Sequence, residues 1–240
     1  MINFKLSDID NNCTNCPLKK DCGRDIGADV CARMFVFFRA LSVSNLSPSE
    51  CVPFNPIVAP ENIESFRRLQ NISRNIYEFV SEGNNLLLMG PTGTGKTRSA
   101  IKLMLNYLAY MSKIKQSRLI KQYEDETFIP TIYVLRAMDV YMTMLDMDKY
   151  KDIRRKVFDA DIVLIDDIGN KSMTDAMSAR YFDLIDARNY SNKCTIYTSN
   201  LNGRDLNELL DERITSRMHT RLTTIKLLGD DMRVEEQSKW

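Results

Sequence analysis

The chain has 240 residues, of which 44% are hydrophobic and 27% are charged, and this ordinary globular composition excludes disordered, collagen-like and low-complexity architectures. Lysine and arginine number 33 against 32 aspartates and glutamates, so the formal net charge is only +1, which excludes a strongly basic coat for non-specific nucleic-acid binding. The apolar runs are far shorter than the roughly 18 residues that a membrane span needs. Because the N-terminus also lacks an apolar signal core, we expect a cytoplasmic protein without membrane contact.

From residue 61 onward, apolar stretches alternate between helical and strand-like spacing. In chain order we predict helices over Ile63–Val80, Thr97–Ile114, Arg136–Leu145, Thr174–Arg188 and Leu206–Met218, and strands at Asn85–Met89, Thr131–Leu135, Asp161–Asp166, Thr195–Ser199 and Thr223–Leu228. Short apolar strands separated by helices are typical of a parallel sheet that is covered on both faces. We therefore expect an α/β fold.

Two shorter parts precede this α/β region. Residues 1–45 contain a cluster of cysteines and then the apolar run Met34–Phe38. Residues 46–60 carry four of the seven prolines, which is typical of an extended linker. The sequence thus predicts a small N-terminal domain at 1–45, a linker at 46–60 and the main domain at 61–240.

The segment after the first predicted strand matches the phosphate-loop pattern G-x-x-x-x-G-K-[ST] at every fixed position. Its residues are Gly90, Pro91, Thr92, Gly93, Thr94, Gly95, Lys96 and Thr97. The glycines let backbone N–H groups converge on a phosphate, and the following helix adds the positive end of its dipole. Lys96 would reach the β- and γ-phosphates of ATP, and the Thr97 hydroxyl would ligate Mg²⁺.

Two carboxylates, Asp166 and Asp167, follow an apolar strand. In a parallel sheet this strand end lies at the same edge as the phosphate loop. Asp166 would hold Mg²⁺, directly or through water, and Asp167 would polarise the water that attacks the γ-phosphorus; the alternative is two solvated acids in a turn. Asn200, after the Thr195 strand, would help to hold that water if its strand lies between or beside the other two. The alternative for Asn200 is a cap or turn.

Two arginines, Arg213 and Arg217, are spaced i and i+4 on one predicted helix face. A planar guanidinium suits the charge that develops on a transferred phosphoryl group. Either arginine would therefore serve in trans as an arginine finger at a neighbour's ATP. The alternative for each is a salt bridge to a nearby acid, so both remain candidates.

Four of the six cysteines lie within nineteen residues of the N-terminal part, at Cys13, Cys16, Cys22 and Cys31. Four thiolates suit a closed tetrahedral Zn²⁺ site, and a metal would supply folding energy that so small a segment lacks. An iron–sulfur cluster uses the same ligands, and unliganded thiols are the third alternative.

The phosphate loop, the Ile-Asp-Asp-Ile-Gly and Thr-Ser-Asn-Leu strand ends and the Asp-Glu-Arg-Ile-Thr-Ser-Arg helix together resemble AAA+ ATPases. More narrowly, they resemble replicative-helicase loaders of the DnaC/DnaI type, which share an IstB-like ATP-binding core. The resemblance covers roughly residues 60–235, and Gly229–Arg233 resembles the closing segment of that family. It implies a parallel-sheet P-loop NTPase without the helical lid of larger AAA+ proteins. Many AAA+ members carry Glu where this chain has the shorter Asp167, so we expect slow hydrolysis.

The resemblance also implies partners. Loaders of this type carry a small zinc-bearing head that grips a hexameric DnaB-type helicase, so residues 1–45 would hold that helicase. ATP would bind between subunits and favour self-association. Single-stranded DNA would lie along two groups of cations, and the alternative for each group is a solvated helix face. The first group is Lys149, Lys151, Arg154, Arg155 and Lys156, and the second is Lys113, Lys115, Arg118 and Lys121.

We therefore interpret the chain as an ATP-dependent loader that delivers a ring helicase to DNA in replication initiation. One alternative is a transposition helper ATPase of the insertion-sequence type, which shares the same core. The others are a nucleotide-gated adaptor with little hydrolysis and an inhibitor that mimics a loader.

Overall fold

A computed structural model of the chain describes residues 40–51, 58–114, 131–169 and 174–229. The helices are α1 (Ile63–Arg74), α2 (Ile76–Ser81), α3 (Lys96–Ile114), α4 (Ala137–Leu145), α5 (Met147–Asp159), α6 (Asp175–Tyr190), α7 (Gly203–Leu209) and α8 (Glu212–Met218). The strands are β1 (Asn85–Met89), β2 (Ile132–Arg136), β3 (Ile162–Asp166), β4 (Cys194–Ser199) and β5 (Leu222–Lys226). Two short 3₁₀ helices, Pro48–Cys51 and Pro60–Asn62, precede α1.

The strands form one sheet in the order β2-β3-β4-β1-β5, and each neighbouring pair is parallel. The prediction of a parallel α/β sheet is therefore confirmed. Because the strands are parallel, their carboxyl ends meet at one edge of the sheet. At that edge β4 lies between β1, which leads into the phosphate loop, and β3, which ends at Asp166.

Helices bury both faces of the sheet, because successive strand residues point to opposite sides. Leu86 and Leu88 of β1 pack on one face against α1, α2 and α3. Leu87 of β1 and Tyr197 of β4 pack on the other face against α4 to α8. All five residues of β1 are buried, so the strand that leads into the phosphate loop is held from both sides.

The helix predicted over Ile63–Val80 is two helices. Asn75, with φ −108° and ψ 32°, leaves the helical region and separates α1 from α2. Asparagine competes for backbone hydrogen bonds in non-helical conformations, and the Asn75 side chain donates to the carbonyl oxygen of Asn71 at 3.1 Å. The apolar spacing alone conceals this break.

The helix predicted over Leu206–Met218 is also divided, into α7 and α8. Leu210 is extended, with φ −87° and ψ 145°. Asp211 then caps α8, because its side chain accepts the backbone N–H of Arg213 at 2.8 Å. An aspartate that begins a helix in this way is a recognised start signal that the sequence carries.

Helix α5 is not among the helices predicted in chain order, although the alternative for its cluster of cations was a solvated helix face. Two further sequence signals point to a helix here. The side chain of Asp146 accepts two backbone N–H groups and caps the N-terminus of α5. Tyr150, Ile153 and Val157 follow at helical spacing and are buried. The dense charges of this stretch mask its apolar face.

The segment before the main domain covers the outer edge of β2. The backbone N–H of Val134 donates to the carbonyl oxygen of Ser44 at 2.9 Å. Further along, the guanidinium of Arg136 donates to both carboxylate oxygens of Glu50, at 2.7 and 2.9 Å. Residues 40–51 therefore protect an edge that would otherwise present unpaired backbone groups.

A buried arginine, Arg188, ties together the amino ends of β3 and β4. Its guanidinium is fully buried and donates to the Thr195 hydroxyl at 3.0 Å. It also donates to the carbonyl oxygens of Val157, Ala160, Asp161 and Cys194. Burial lowers the pKa of Arg188 to about 10, so the group stays charged at neutral pH. This arginine acts at the end of the sheet opposite the phosphate loop.

Residues 1–39 lie outside the described ranges, so the predicted N-terminal domain and its boundary stay predictions. Among the residues that the structure does describe, no helix combines the length and apolar character that crossing a membrane requires.

Candidate nucleotide-binding site

The loop between β1 and α3 has the backbone that phosphate binding requires. Gly93 and Gly95 have φ values of 82° and 83°, a left-handed conformation that glycine adopts without strain. Gly90 lies so close to the chain after β5 that an added Cβ would come within 1.9 Å of the Leu227 carbonyl oxygen. The helix begins at Lys96, so its free N–H groups and positive dipole end point into the loop.

The Lys96 side chain lies inside this loop. Only 6% of the residue is exposed, and its Nζ donates to the carbonyl oxygens of Gly90 at 2.8 Å and Pro91 at 2.6 Å. The Thr94 hydroxyl also donates to the Pro91 carbonyl oxygen, at 2.9 Å. A bound phosphate would offer oxygens in place of these carbonyl oxygens, so anion binding requires the Lys96 ammonium to exchange these contacts.

Thr97 and Asp166 meet across the carboxyl edge of the sheet. The Thr97 hydroxyl donates to Asp166 Oδ1 at 2.8 Å. A hydroxyl has a single hydrogen, so this bond leaves the lone pairs of Thr97 available to a cation. The other carboxylate oxygen of Asp166 makes no hydrogen bond to the described residues. A hydroxyl and a carboxylate oxygen side by side are the hard ligands that Mg²⁺ prefers.

Asp167 adopts an unusual backbone conformation with a φ of 59°, a region that aspartate enters more readily than most residues. Its side chain turns toward β4, where Asn200 Nδ2 donates to Asp167 Oδ1 at 2.6 Å. The structure therefore brings Asp167 and Asn200 into direct contact. The sheet order also places β4 between β1 and β3, which was the condition for assigning Asn200 to this site.

The sequence analysis missed Thr198, which touches both aspartates. Its hydroxyl donates to Asp166 Oδ1 at 2.7 Å and accepts the backbone N–H of Asp167 at 2.8 Å. Ser199 adds a further link, because its hydroxyl donates to the Ile168 carbonyl oxygen at 2.8 Å. The available signal was that Thr198 and Ser199, like Asn200, are polar at the end of a strand whose other residues are largely apolar.

The residues at this edge fit Mg²⁺ with a triphosphate. The loop offers backbone N–H groups and an ammonium for the phosphates, and Thr97 and Asp166 offer oxygen ligands. Mg²⁺ in such sites takes only one or two protein ligands and obtains the rest from phosphates and water. The described residues hold no group of three or more His, Cys, Asp or Glu side chains that could bind a metal unaided.

The two candidate finger arginines lie on α8, away from the phosphate loop. Arg213 donates through both Nε and Nη2 to Asp211, the cap of its own helix. Arg217 donates through Nε to Asp186 of α6. Both guanidiniums lie over the ring of Phe182, at 5.4 and 6.0 Å from its centre. Within the described ranges neither contacts the nucleotide loop of its own chain, so each would act only on a neighbour.

Most cations of α5 are paired with acids. Arg154 binds Asp183 at 2.8 Å, and the other pairs join Lys151 to Asp148, and both Arg155 and Lys156 to Asp152. Hydrogen bonds from Arg154 and Tyr150 outweigh the effect of burial and lower the pKa of Asp183. These pairs favour the solvated-face alternative for this cluster. The side chains of the second cluster, Lys113, Lys115, Arg118 and Lys121, are outside what the structure describes.

The four cysteines of the predicted zinc site, Cys13, Cys16, Cys22 and Cys31, also lie outside the described residues. The zinc, iron–sulfur and free-thiol alternatives therefore stay open. The two cysteines that the structure does describe, Cys51 and Cys194, are free thiols.

Comparison with known proteins gives a family match across most of the chain. The family described as IstB-like ATP binding protein matches residues 65–239. The chain is also 24% identical, over 166 residues, to an insertion sequence IS21 ATP-binding protein of Pseudomonas aeruginosa. That alignment covers 67% of this chain and 57% of the relative, so the chain spans less than two thirds of the relative's length.

Several solved structures have a similar fold. The DnaC helicase loader superposes with a TM-score of 0.58 and 19% identity, over 75% of this chain and 99% of that one. DnaI superposes with a TM-score of 0.51 and 18% identity, over 80% and 92%. Domain III of the Thermotoga maritima replication initiation protein DnaA gives 0.51 and 20%, over 78% and 73%. At these identities the similarity shows a shared fold.

Proposed function

Because the chain belongs to the IstB-like ATP-binding protein family, we propose that it binds Mg²⁺·ATP at the carboxyl edge of β1, β4 and β3 and hydrolyses it. The observation that carries this proposal is the contact of Thr97 with Asp166. It joins the phosphate loop to the end of β3 through two groups that suit Mg²⁺. A glycine-rich turn that binds no nucleotide would not require a contact between its following helix and the acidic end of β3.

Each residue at this edge has a role that its geometry supports. Lys96 exchanges its two carbonyl contacts for oxygens of the β- and γ-phosphates. Thr97 and Asp166 would hold Mg²⁺, which would neutralise charge on the transferred phosphoryl group. Asp167 accepts a proton from the attacking water, and Asn200 holds the Asp167 carboxylate in place.

A second subunit completes the site in this proposal. Within the described part of the chain, Arg217 binds Asp186 through Nε alone, which leaves both of its terminal nitrogens for a phosphate. Arg213 donates hydrogen bonds through Nε and Nη2 to Asp211. Arg217 is therefore the better candidate for the finger that stabilises charge on a neighbour's ATP. Binding of ATP would thereby favour self-association.

For the biological role, we infer an ATP-switched loader of a DnaB-type hexameric helicase onto single-stranded DNA. The cysteine-rich N-terminal part supports this role, because it resembles the zinc-bearing head of DnaI-type loaders. The second candidate is a transposition helper ATPase. The sequence match to the insertion sequence ATP-binding protein favours that alternative.

Turnover of ATP separates an enzyme from an adaptor. We expect wild-type protein to hydrolyse ATP slowly, and faster with single-stranded DNA. Lys96→Ala should abolish turnover, whereas Lys102→Ala, on an exposed position of the same helix, should retain it. Equal rates for wild type and Lys96→Ala would exclude the ATPase.

Partner capture separates the loader from the transposition helper. The wild-type chain should co-purify with a purified DnaB-type helicase, and the Cys13→Ser/Cys16→Ser variant should lose the helicase while still binding ATP. A chain that ignores the helicase but stimulates a purified insertion-sequence transposase would establish the alternative role.

A further inference from the structure

We propose that Thr198 is a positioning residue for ATP hydrolysis, which sets the orientation of both aspartates at once. This inference rests on the proposed ATPase function and assigns a role that neither the motifs nor the family description gives to this residue. Thr198 lies at the penultimate position of β4 and is fully buried. Its hydroxyl is one of the links between the ends of β3 and β4.

The direction of the two hydrogen bonds follows from elementary chemistry. A backbone N–H can only donate, so the Thr198 oxygen must accept from Asp167 N at 2.8 Å. The single hydroxyl hydrogen is then left for Asp166 Oδ1 at 2.7 Å. Asp166 Oδ1 therefore has to accept this hydrogen. One side chain thus fixes the backbone of one aspartate and the carboxylate of the other.

Asp166 is held from two sides by this arrangement. Thr97 and Thr198 both donate to the same oxygen, Oδ1. The carboxylate cannot rotate without breaking both bonds. The Thr198 bond also belongs to a chain that runs from the Asp167 N–H through the Thr198 hydroxyl to Asp166 Oδ1, in which each bond polarises the next. The orientation of the Mg²⁺ ligand thus depends on a residue of β4 as well as on the phosphate loop.

Asp167 depends on Thr198 through its backbone. The φ of 59° at Asp167 is costly for a residue other than glycine, and surrounding contacts have to maintain it. The Thr198 hydroxyl holds the Asp167 amide, the Thr198 carbonyl oxygen accepts the N–H of Ile168 at 2.9 Å, and Asn200 holds the carboxylate. Loss of the Thr198 hydroxyl would release the turn that aims Asp167.

Valine and serine substitutions test this role. Thr198→Val keeps the shape of the side chain but can neither donate nor accept, so we expect kcat for ATP hydrolysis to fall by about 10- to 100-fold. The KM for ATP should change by less than about threefold, because the phosphate loop is intact. Thr198→Ser keeps the hydroxyl and should restore kcat to within about threefold of wild type.

A matched control distinguishes positioning from a loss of stability. Thr195 lies on the same strand and is equally buried, but its hydroxyl contacts Arg188 at the opposite end of the sheet. Thr195→Val should lower the thermal unfolding temperature and leave kcat unchanged. A Thr198→Val/Asn200→Ala double variant should be less impaired than the product of the single effects, since both residues act through Asp167.

The outcomes separate this inference from the ATPase proposal. Normal kcat in folded Thr198→Val, or an equal loss of kcat in Thr195→Val, would overturn the positioning role while the ATPase stands. If Thr198→Val fails to fold, the folded Thr198→Ser variant decides. A kcat within about threefold of wild type supports the role, and a larger loss of kcat overturns it. Wild-type protein that is as inactive as Lys96→Ala, with and without single-stranded DNA, would overturn both proposals.

Discussion

The hydroxyl of Thr97 donates to Asp166 Oδ1 at 2.8 Å, although the two residues are 69 positions apart in the chain. The contact exists because β1 and β3 are parallel strands on either side of β4. It brings together a hydroxyl in the first turn of the helix after the phosphate loop and the carboxylate that ends the apolar strand β3.

Replacing Asp166 by asparagine should remove the response to Mg²⁺. Asparagine keeps the shape of the side chain but loses the negative charge that holds the cation. We expect ATP turnover to fall by about 100-fold or more, measured by phosphate release over a Mg²⁺ titration. Asp148→Asn, which removes an exposed carboxylate from α5, is the control. Unchanged Mg²⁺ dependence in Asp166→Asn would separate this aspartate from the cation site.

Asn200→Ala should slow hydrolysis without weakening nucleotide binding. The variant loses the hydrogen bond to Asp167 Oδ1, and the carboxylate is then free to leave the position from which it activates water. We expect kcat to drop by about 10- to 100-fold, while the affinity for a fluorescent ATP analogue stays within about threefold. A large loss of affinity with normal kcat would mean that Asn200 contacts the nucleotide instead.

Mixing experiments should identify the finger arginine. A subunit with Lys96→Ala lacks a working loop but still carries its arginines, and a subunit with Arg217→Ala has the reverse defect. If the finger acts in trans, mixing the two inactive variants should recover ATP turnover. Mixing Lys96→Ala with Arg213→Ala gives the comparison, and we expect Arg217→Ala to be the more damaging single change. Full activity of Arg217→Ala alone would exclude it as the finger.

Arg188→Met should destabilise the main domain. The variant leaves four carbonyl oxygens, three of them in buried contacts, and the Thr195 hydroxyl without their shared donor, and unpaired buried polar groups are costly. We expect the free energy of unfolding to fall by about 3 kcal/mol or more, measured by urea denaturation. Arg68→Met, at an exposed position of α1, should change it by less than about 0.5 kcal/mol. Equal stability of the two variants would contradict the structural role of Arg188.

The Glu50–Arg136 pair should contribute to stability only above acidic pH. Burial raises the pKa of Glu50, but hydrogen bonds from Ser47 and the Arg136 guanidinium outweigh it and leave that pKa below its usual value of 4.5. A carboxylate with a lowered folded-state pKa stabilises the fold above its ordinary pKa, and this contribution disappears as the pH falls through the folded value.

Glu50→Gln should therefore be less stable than wild type at pH 7, by about 1 kcal/mol for a partly exposed pair. The difference between the two proteins should shrink as the pH falls below the usual carboxyl pKa. Urea denaturation across pH measures it, and a difference that grows toward low pH would contradict the assigned pair.

The sequence predicts the sheet and most of the site because the signals there are local. The phosphate-loop pattern fixes Gly90 to Thr97, and an apolar strand followed by acids fixes Asp166 at the shared edge. The boundaries of β1, and the strand character of β2 to β5, follow from short apolar runs. Contacts between distant strands depend on the order of the strands in the sheet, and local sequence patterns do not give that order.

Thr198 and Arg188 illustrate what the sequence leaves out. Thr198 is one of several polar residues at the end of a strand, and only the order of the strands brings its hydroxyl to two aspartates of β3. An arginine on a helix is ordinarily an exposed cation, and Arg188 is buried only because α6 packs over β3 and β4. The breaks at Asn75 and Asp211 were hidden because apolar spacing continues through them.

Binding of an ATP analogue tests the central claim most directly. Isothermal titration of the wild-type chain with a non-hydrolysable ATP analogue and Mg²⁺ should give one site per subunit. Lys96→Ala should bind at least about 10-fold more weakly, and Lys102→Ala should bind like wild type. Wild-type protein that takes up no analogue, or a Lys96→Ala variant that binds it with undiminished affinity, would contradict a triphosphate site at this loop.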